Sequence, residues 1–208
     1  LIDAGVSCKQ IVEHIGELGV APGDIDAVFI THEHIDHIKG IGVLARKYRI
    51  PLYATPGTWQ GIGKTVGDIP EESVRYVYPG SMTLVGGLCV KPFSIPHDAA
   101  EPVGYSVFTD NRKLTVATDI GCPTEEIKEN IYDSDVLLLE ANHDVDMLKK
   151  GRLKYVFLGH LSSENNEPHL AFDTVRGILE ETGVKVGKTV ELDMASRYSN
   201  SRTIALGS

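Results

Sequence analysis

The chain has 208 residues, 42% hydrophobic and 24% charged, which is the profile of one folded domain rather than a disordered or fibrous chain. Twenty Lys and Arg against 29 Asp and Glu give a net charge of −9, which argues against a protein that coats DNA in bulk and says nothing against a local basic groove. Three cysteines without CxxC spacing suggest neither a disulfide framework nor a thiolate zinc site and fit a reducing cytoplasm, and apolar runs such as 136–139 fall far short of the ~20 residues that cross a membrane.

In chain order, residues 1–5 read as a strand end, and Ser7 as the cap of a helix whose apolar Ile11, Val12, Ile15 and Leu18 keep the 3.6 period until Gly19. Residues 26–30 predict a buried strand and 31–37 a loop. A helix follows with Ile38, Ile41, Leu44 and Tyr48 on one face, then a strand over 51–54. Shorter strands are predicted over 74–78, 82–85, 88–93 and 103–108, parted by Gly, Pro and polar turns. From Leu114 strands and helices alternate. Strands are predicted over 114–117, 136–140, 155–158 and near 189–192, and helices over 124–131, 145–150 and 168–181. Helices among many strands predict sheets with one face on helices and the other on a second sheet.

Three of the eight histidines fall within six residues, in Thr31-His32-Glu33-His34-Ile35-Asp36-His37. A regular helix does not bring His32, His34, Asp36 and His37 together, but a loop after a strand wraps them around a cation. Imidazoles and a carboxylate suit zinc and are acceptable to manganese or iron. The plainer alternative is a solvated loop with Asp36 favoured near a helix N-terminus. Further candidates stand at strand exits, where such folds place their sites: His97 in Pro96-His97-Asp98, Asp119 in Thr118-Asp119-Ile120-Gly121, and His160 in Gly159-His160-Leu161-Ser162.

These motifs, in this order and together with Leu1-Ile2-Asp3-Ala4-Gly5, resemble the metallo-beta-lactamase fold hydrolases over nearly the whole chain. The phrases from Pro96 to Tyr105, from Leu139 to Asp144 and from Gly159 to Ser162 resemble the bacterial YycJ or WalJ type, regarded as DNA exonucleases. The resemblance implies an α/β fold, an αββα sandwich with a dinuclear site at one edge. It places His32, His34 and His97 on one metal, Asp36, His37 and His160 on the other, and Asp119 between them. The cofactor expected is a pair of divalent ions, zinc first, then manganese or iron. The family also carries strands before Asp3 and a further stretch where Gly151 here runs directly into Arg152, so a single domain over 1–208 is expected to lack residues at both places.

Two divalent ions lower the pKa of a bridging water toward about 7 and clamp the charge of an in-line attack on phosphorus, so the expected nucleophile is a metal-bridging hydroxide. Asp36 is then both a ligand and a proton acceptor. Asp3, Thr31 and Asp98 are candidates to hydrogen-bond the ligands and fix imidazole tautomers, although Asp3 equally well caps the Ser7 turn. Glu140 with His143 is the candidate pair for the leaving oxygen, or else a helix cap. Ser162 and Ser163 are candidates for a phosphate oxygen, or else a helix start. Basic strips at Arg46, Lys47 and Arg49 and at Lys149, Lys150, Arg152 and Lys154 are candidate nucleic-acid contacts or plain solvated faces. The expected activity is that of a cytoplasmic phosphodiesterase or DNA exonuclease, with nucleic acid as substrate, no membrane and no protein partner. The alternatives are hydrolysis of a small ester, thioester or lactam on the same metals, and a non-catalytic metal-binding module.

Overall fold

In the computed structural model, residues 1–140, 152–159, 168–181, 183–196 and 199–205 are described. The chain packs as two compact units, Leu1–Gly87 with Asp98–Val103, and Leu88–His97 with Gly104–Ser208.

In the first unit, helix α1 (Cys8–Glu17) begins where Ser7 accepts the Gln10 N–H and the Gln10 side chain accepts the Ser7 N–H, a reciprocal cap. Three parallel strands, β1 (Val28–Phe29), β2 (Leu52–Ala54) and β3 (Val74–Tyr76), lie in that order, with Ile2 bridging to Phe29. The helix expected after the histidine loop is broken in two, α2 (Ile35–Ile38) and α3 (Ile41–Tyr48). The break is at Gly40, whose N–H donates to the Ala4 carbonyl at 2.8 Å. A Cβ there would stand 2.6 Å from Ile11 Cδ1 and 2.7 Å from the Val6 carbonyl oxygen, so the approach of α1 requires glycine. Ile11 and Ile15 of α1, Ile38 of α2, Ile41 and Leu44 of α3, and Val28 and Leu52 of the strands form one buried core. Each such side chain contributes about 1.5–3 kcal/mol on burial.

Helix α4 (Pro56–Ile62) was not expected. Thr55 caps it by accepting the Thr58 N–H, and Pro56 occupies its first turn. β4 (Thr83–Val85) is the last strand of this unit's first segment.

The second unit is built on a sheet in the order β10-β9-β8-β7-β6-β5, from β5 (Leu88–Ser94), β6 (Val103–Phe108), β7 (Lys113–Ala117), β8 (Val136–Glu140), β9 (Tyr155–Gly159) and β10 (Glu191–Met194). β7 to β10 run parallel and β6 antiparallel to β7. Helix α5 (Glu125–Ile131) is capped by Thr124, and α6 (Pro168–Glu181) spans the predicted residues. Ile127 and Ile131, Leu137 and Leu139, Val156 and Leu158, and Val175 and Leu179 fill the core from α5, β8, β9 and α6. The expected helix over 145–150 lies outside the described residues. Among the described residues no helix is long and apolar enough to cross a membrane.

The N-terminal ends of β7, β8 and β9 are tied together at Asp135, whose side chain is 1% exposed. Its carboxylate accepts the Lys113 N–H and the Arg112 guanidinium, both at 3.0 Å, and its carbonyl accepts the Lys154 and Tyr155 N–H groups. Burial opposes the charge, but the Lys113 amide and the Arg112 and Arg152 guanidinium groups outweigh it and hold the carboxyl below the usual aspartate range. A depressed folded-state pKa means stability present above the unfolded value and lost as pH falls through the folded one. Asp135→Asn is therefore expected to cost about 1.5–3 kcal/mol at neutral pH. It should also remove part of the acid-side loss below about pH 4. Urea midpoints from pH 3 to 7 check this, and parallel curves for the two proteins would contradict it.

Candidate metal centre

The histidine loop leaves β1 and is folded by a short clamp at the start of the chain. Asp3 takes a left-handed backbone (φ 56°). The next two residues lie against α2: Ala4 donates its N–H to the His37 carbonyl at 2.8 Å, and Gly5 abuts the Asp36 carbonyl so closely that a Cβ would overlap it. Asp3 does not cap α1. Its Oδ1 accepts the Thr31 N–H, and its Oδ2 accepts the Thr31 hydroxyl and His37 Nδ1, each at 2.8 Å.

This network assigns the imidazole tautomers. Because Asp3 only accepts, His37 carries its proton on Nδ1 and presents Nε2 as a lone pair. The Thr31 hydroxyl donates its hydrogen bond to Asp3, so its oxygen, 3.0 Å from His32 Nδ1, accepts from that nitrogen and leaves His32 Nε2 as a lone pair as well. His32 and His37 are buried and their ring centroids stand 4.1 Å apart. His32 Nε2 lies 3.0 Å from His34 Nδ1. Two nitrogens so close fit a shared zinc ion, whose bonds of about 2.0–2.1 Å set neighbouring ligands roughly 3.3 Å apart in a tetrahedron. By the chemistry of its donors, then, the loop fits a divalent metal. Asp36 sits exposed on the first turn of α2, and Asp98 is exposed where the loop Asp98–Val103 begins.

In the second unit, the parallel strands direct their C-terminal ends to one edge, and the remaining described candidates follow those ends. Asp119, two residues past β7, is 6% exposed and has a left-handed backbone (φ 57°). Its Oδ1 faces His97 Nε2 at 3.9 Å, and the two loops are joined by the Gly121 N–H on the Pro96 carbonyl. Gly121 is needed for this approach, since a Cβ there would come 2.7 Å from that carbonyl oxygen. Glu140, at the end of β8, accepts the Ile120 N–H at 2.7 Å, which fixes the turn that carries Asp119. His143, His160, Ser162 and Ser163 lie outside the described residues.

The basic strips have local duties. Arg46 donates to the carbonyls of Val66 and Asp68. Arg152 and Lys154 each stand 3.9 Å from Asp135, at the opposite edge of the sheet from Asp119 and Glu140. Lys149 and Lys150 lie outside the described residues.

The family model for the beta-lactamase superfamily domain matches residues 1–186. The chain belongs to that superfamily. It has the metallo-beta-lactamase fold of hydrolases, which implies divalent metal ions, and the histidines and aspartates above are its candidate ligands. Among its superfamily relatives, "Exodeoxyribonuclease YycJ" of Bacillus anthracis is 34% identical over 224 aligned positions, covering 92% of this chain and 85% of that one. "Exodeoxyribonuclease WalJ" of Streptococcus pneumoniae is 34% identical, covering 90% and 82%. The crystal structure of the metallo-beta-lactamase fold protein YhfI from Bacillus subtilis superposes with a TM-score of 0.68 at 14% identity, over 93% of this chain and 83% of that one.

Sequence reasoning overlooked Glu33. Its carboxylate accepts the Ala100 N–H at 2.8 Å, and the available signal was an acidic residue between two candidate ligands.

Proposed function

We propose that this superfamily member is a metal-dependent nuclease that removes nucleotides from the ends of DNA, acting in the cytoplasm. The reading is carried by the 34% identity to an exodeoxyribonuclease across 92% of the chain. The tautomer network at His32 and His37 supports it, because it prepares two nitrogen lone pairs for a cation.

His32, His34 and His97 are assigned to one ion and Asp36, His37 and His160 to the second, with Asp119 shared. When bound, such ions supply a Lewis acid that activates water and neutralises charge developing on a phosphoryl group. The chain's own residues prepare that chemistry. Asp3 and Thr31 hold two imidazoles in one tautomer and orientation, so no proton need leave their Nε2 atoms before a cation enters. Glu140 steadies the Asp119 turn through Ile120 and, with His143, is the pair assigned to the leaving oxygen. Ser162 and Ser163 are assigned to a phosphate oxygen. Asp36 and Asp119 add negative charge where two divalent ions bring four positive ones, so an overall charge of −9 is compatible with a phosphodiester substrate.

The decisive experiment follows 5′-labelled and 3′-labelled DNA duplexes, with 5′-phosphate or 5′-hydroxyl ends, in the presence of zinc or manganese. Progressive shortening that EDTA abolishes and the metal restores is the expected result. Intact DNA alongside turnover of a small thioester or lactam would move the assignment to the small-molecule hydrolases of this fold.

A further inference from the structure

We propose that Glu33 is a positioning residue: it fixes the loop Asp98–Val103 and thereby sets His97, the residue immediately before it. The inference rests on the metal-centre reading for the meaning of His97, and on the first unit alone for its geometry.

One short segment serves two purposes. His32 and His34 turn their rings toward each other, with facing nitrogens 3.0 Å apart. Glu33, between them, reaches the loop Asp98–Val103, where its Oε1 accepts the Ala100 N–H at 2.8 Å. Oε2 is buried with no hydrogen-bond partner among the described residues, and the carboxylate is packed against its neighbours.

The packing partner is α4. Gly57 and Gly61 lie four residues apart and so share a helix face. A Cβ at 61 would stand 2.6 Å from Glu33 Cδ, and one at 57 would stand 2.5 Å from Glu101 Cβ. Glycine in a helix costs about 1 kcal/mol against alanine. Two of them in seven residues are explained by the room that Glu33 and the loop require. The same helix end grips the loop directly: the Thr55 and Thr58 hydroxyls donate to the Glu101 carbonyl at 2.8 and 3.2 Å, and the Gly57 N–H donates to Glu101 Oε2 at 2.7 Å. Val103 completes the attachment through its N–H to the Thr31 carbonyl at 3.0 Å. Of these anchors, only the Glu33 bond joins the middle of the loop to a residue flanked on both sides by candidate ligands.

Full-length wild-type, Glu33→Ala and Glu33→Gln proteins are compared by two readouts, amide hydrogen exchange at Ala100 without metal and cobalt(II) affinity followed by the visible absorption of the bound ion. In Glu33→Ala the Ala100 amide should exchange about 10-fold faster or more, and cobalt affinity should fall about 10- to 100-fold. Glu33→Gln keeps an acceptor oxygen for Ala100 and should stay close to wild type in both. Adding Glu33→Ala to His97→Ala should cost little further affinity, because the two act through one ligand. Should Glu33→Ala not fold, Glu33→Asp decides by the same readouts, since it keeps the charge and draws the carboxylate back by one methylene. Unchanged Ala100 exchange, faster exchange with unchanged cobalt affinity, or a Gln variant as impaired as Ala would each overturn the proposal. Wild-type protein that binds no cobalt would instead overturn the metal-centre reading, and this inference with it.

Discussion

Asp3→Asn is expected to weaken metal binding about 10- to 100-fold while leaving the fold intact. The native carboxylate accepts three hydrogen bonds, from the Thr31 N–H, the Thr31 hydroxyl and His37 Nδ1. An amide of the same shape has one accepting atom and one donating group. If its NH2 faces the Thr31 N–H, two donors oppose each other; if its NH2 faces His37, that ring must accept on Nδ1 and carry its proton on Nε2, the atom needed for a metal. The left-handed backbone at Asp3 suits asparagine, so the substitution adds no backbone strain. Competition with a chelator measures the affinity, and a thermal midpoint close to that of wild type shows that the loss is local. An asparagine variant that holds metal as tightly as wild type would remove Asp3 from this role.

Gly5→Ala is expected to act on the fold itself. Its added Cβ would overlap the Asp36 carbonyl, and neither backbone is free to yield. The Ala4 N–H is bonded to the His37 carbonyl and the Ala4 carbonyl accepts the Gly40 N–H, so the residue before Gly5 is fixed on both sides. The cost is placed at about 3 kcal/mol or more, at the upper end for overpacking. That is a large part of the roughly 5–15 kcal/mol that keeps a domain folded. Urea titration with an unchanged slope and a strongly lowered midpoint is the expected observation. A midpoint within experimental error of wild type would mean that the clamp adapts more easily than its packing indicates.

The sequence made the elements with strong local signals readable. Ser7 announced a helix that it does cap, the helix expected over 124–131 forms at Glu125–Ile131, and the apolar strands at 103–108 and 136–140 were placed to the residue. It concealed what depends on distant neighbours. The apolar period running from Ile38 to Tyr48 hid the break at Gly40, which exists because α1 packs there. Helix α4 carries two glycines that lower its propensity, and their reason, the carboxylates of Glu33 and Glu101, is distant in sequence. The histidine motif stood out because its candidate ligands are neighbours in the chain. The duty of Asp3 was ambiguous until its bond to His37, 34 residues away, could be seen. The strand exits carrying His97 and Asp119 were also readable, whereas the attachment of Arg152 and Lys154 to Asp135 was not, since a charge run does not say which way it faces.

The first unit takes its last segment, Asp98–Val103, from beyond a stretch of chain that belongs to the second. A nascent polypeptide therefore cannot finish this unit when Gly87 has emerged. At that point Thr31, Glu33, Thr55 and Gly57 are present without the residues that complete their bonds. Synthesis must continue to Val103, with the whole of β5 already made, before the histidine loop acquires its final setting. The arrangement completes the histidine loop only after the whole of the second unit's first segment, Leu88–His97, has been made.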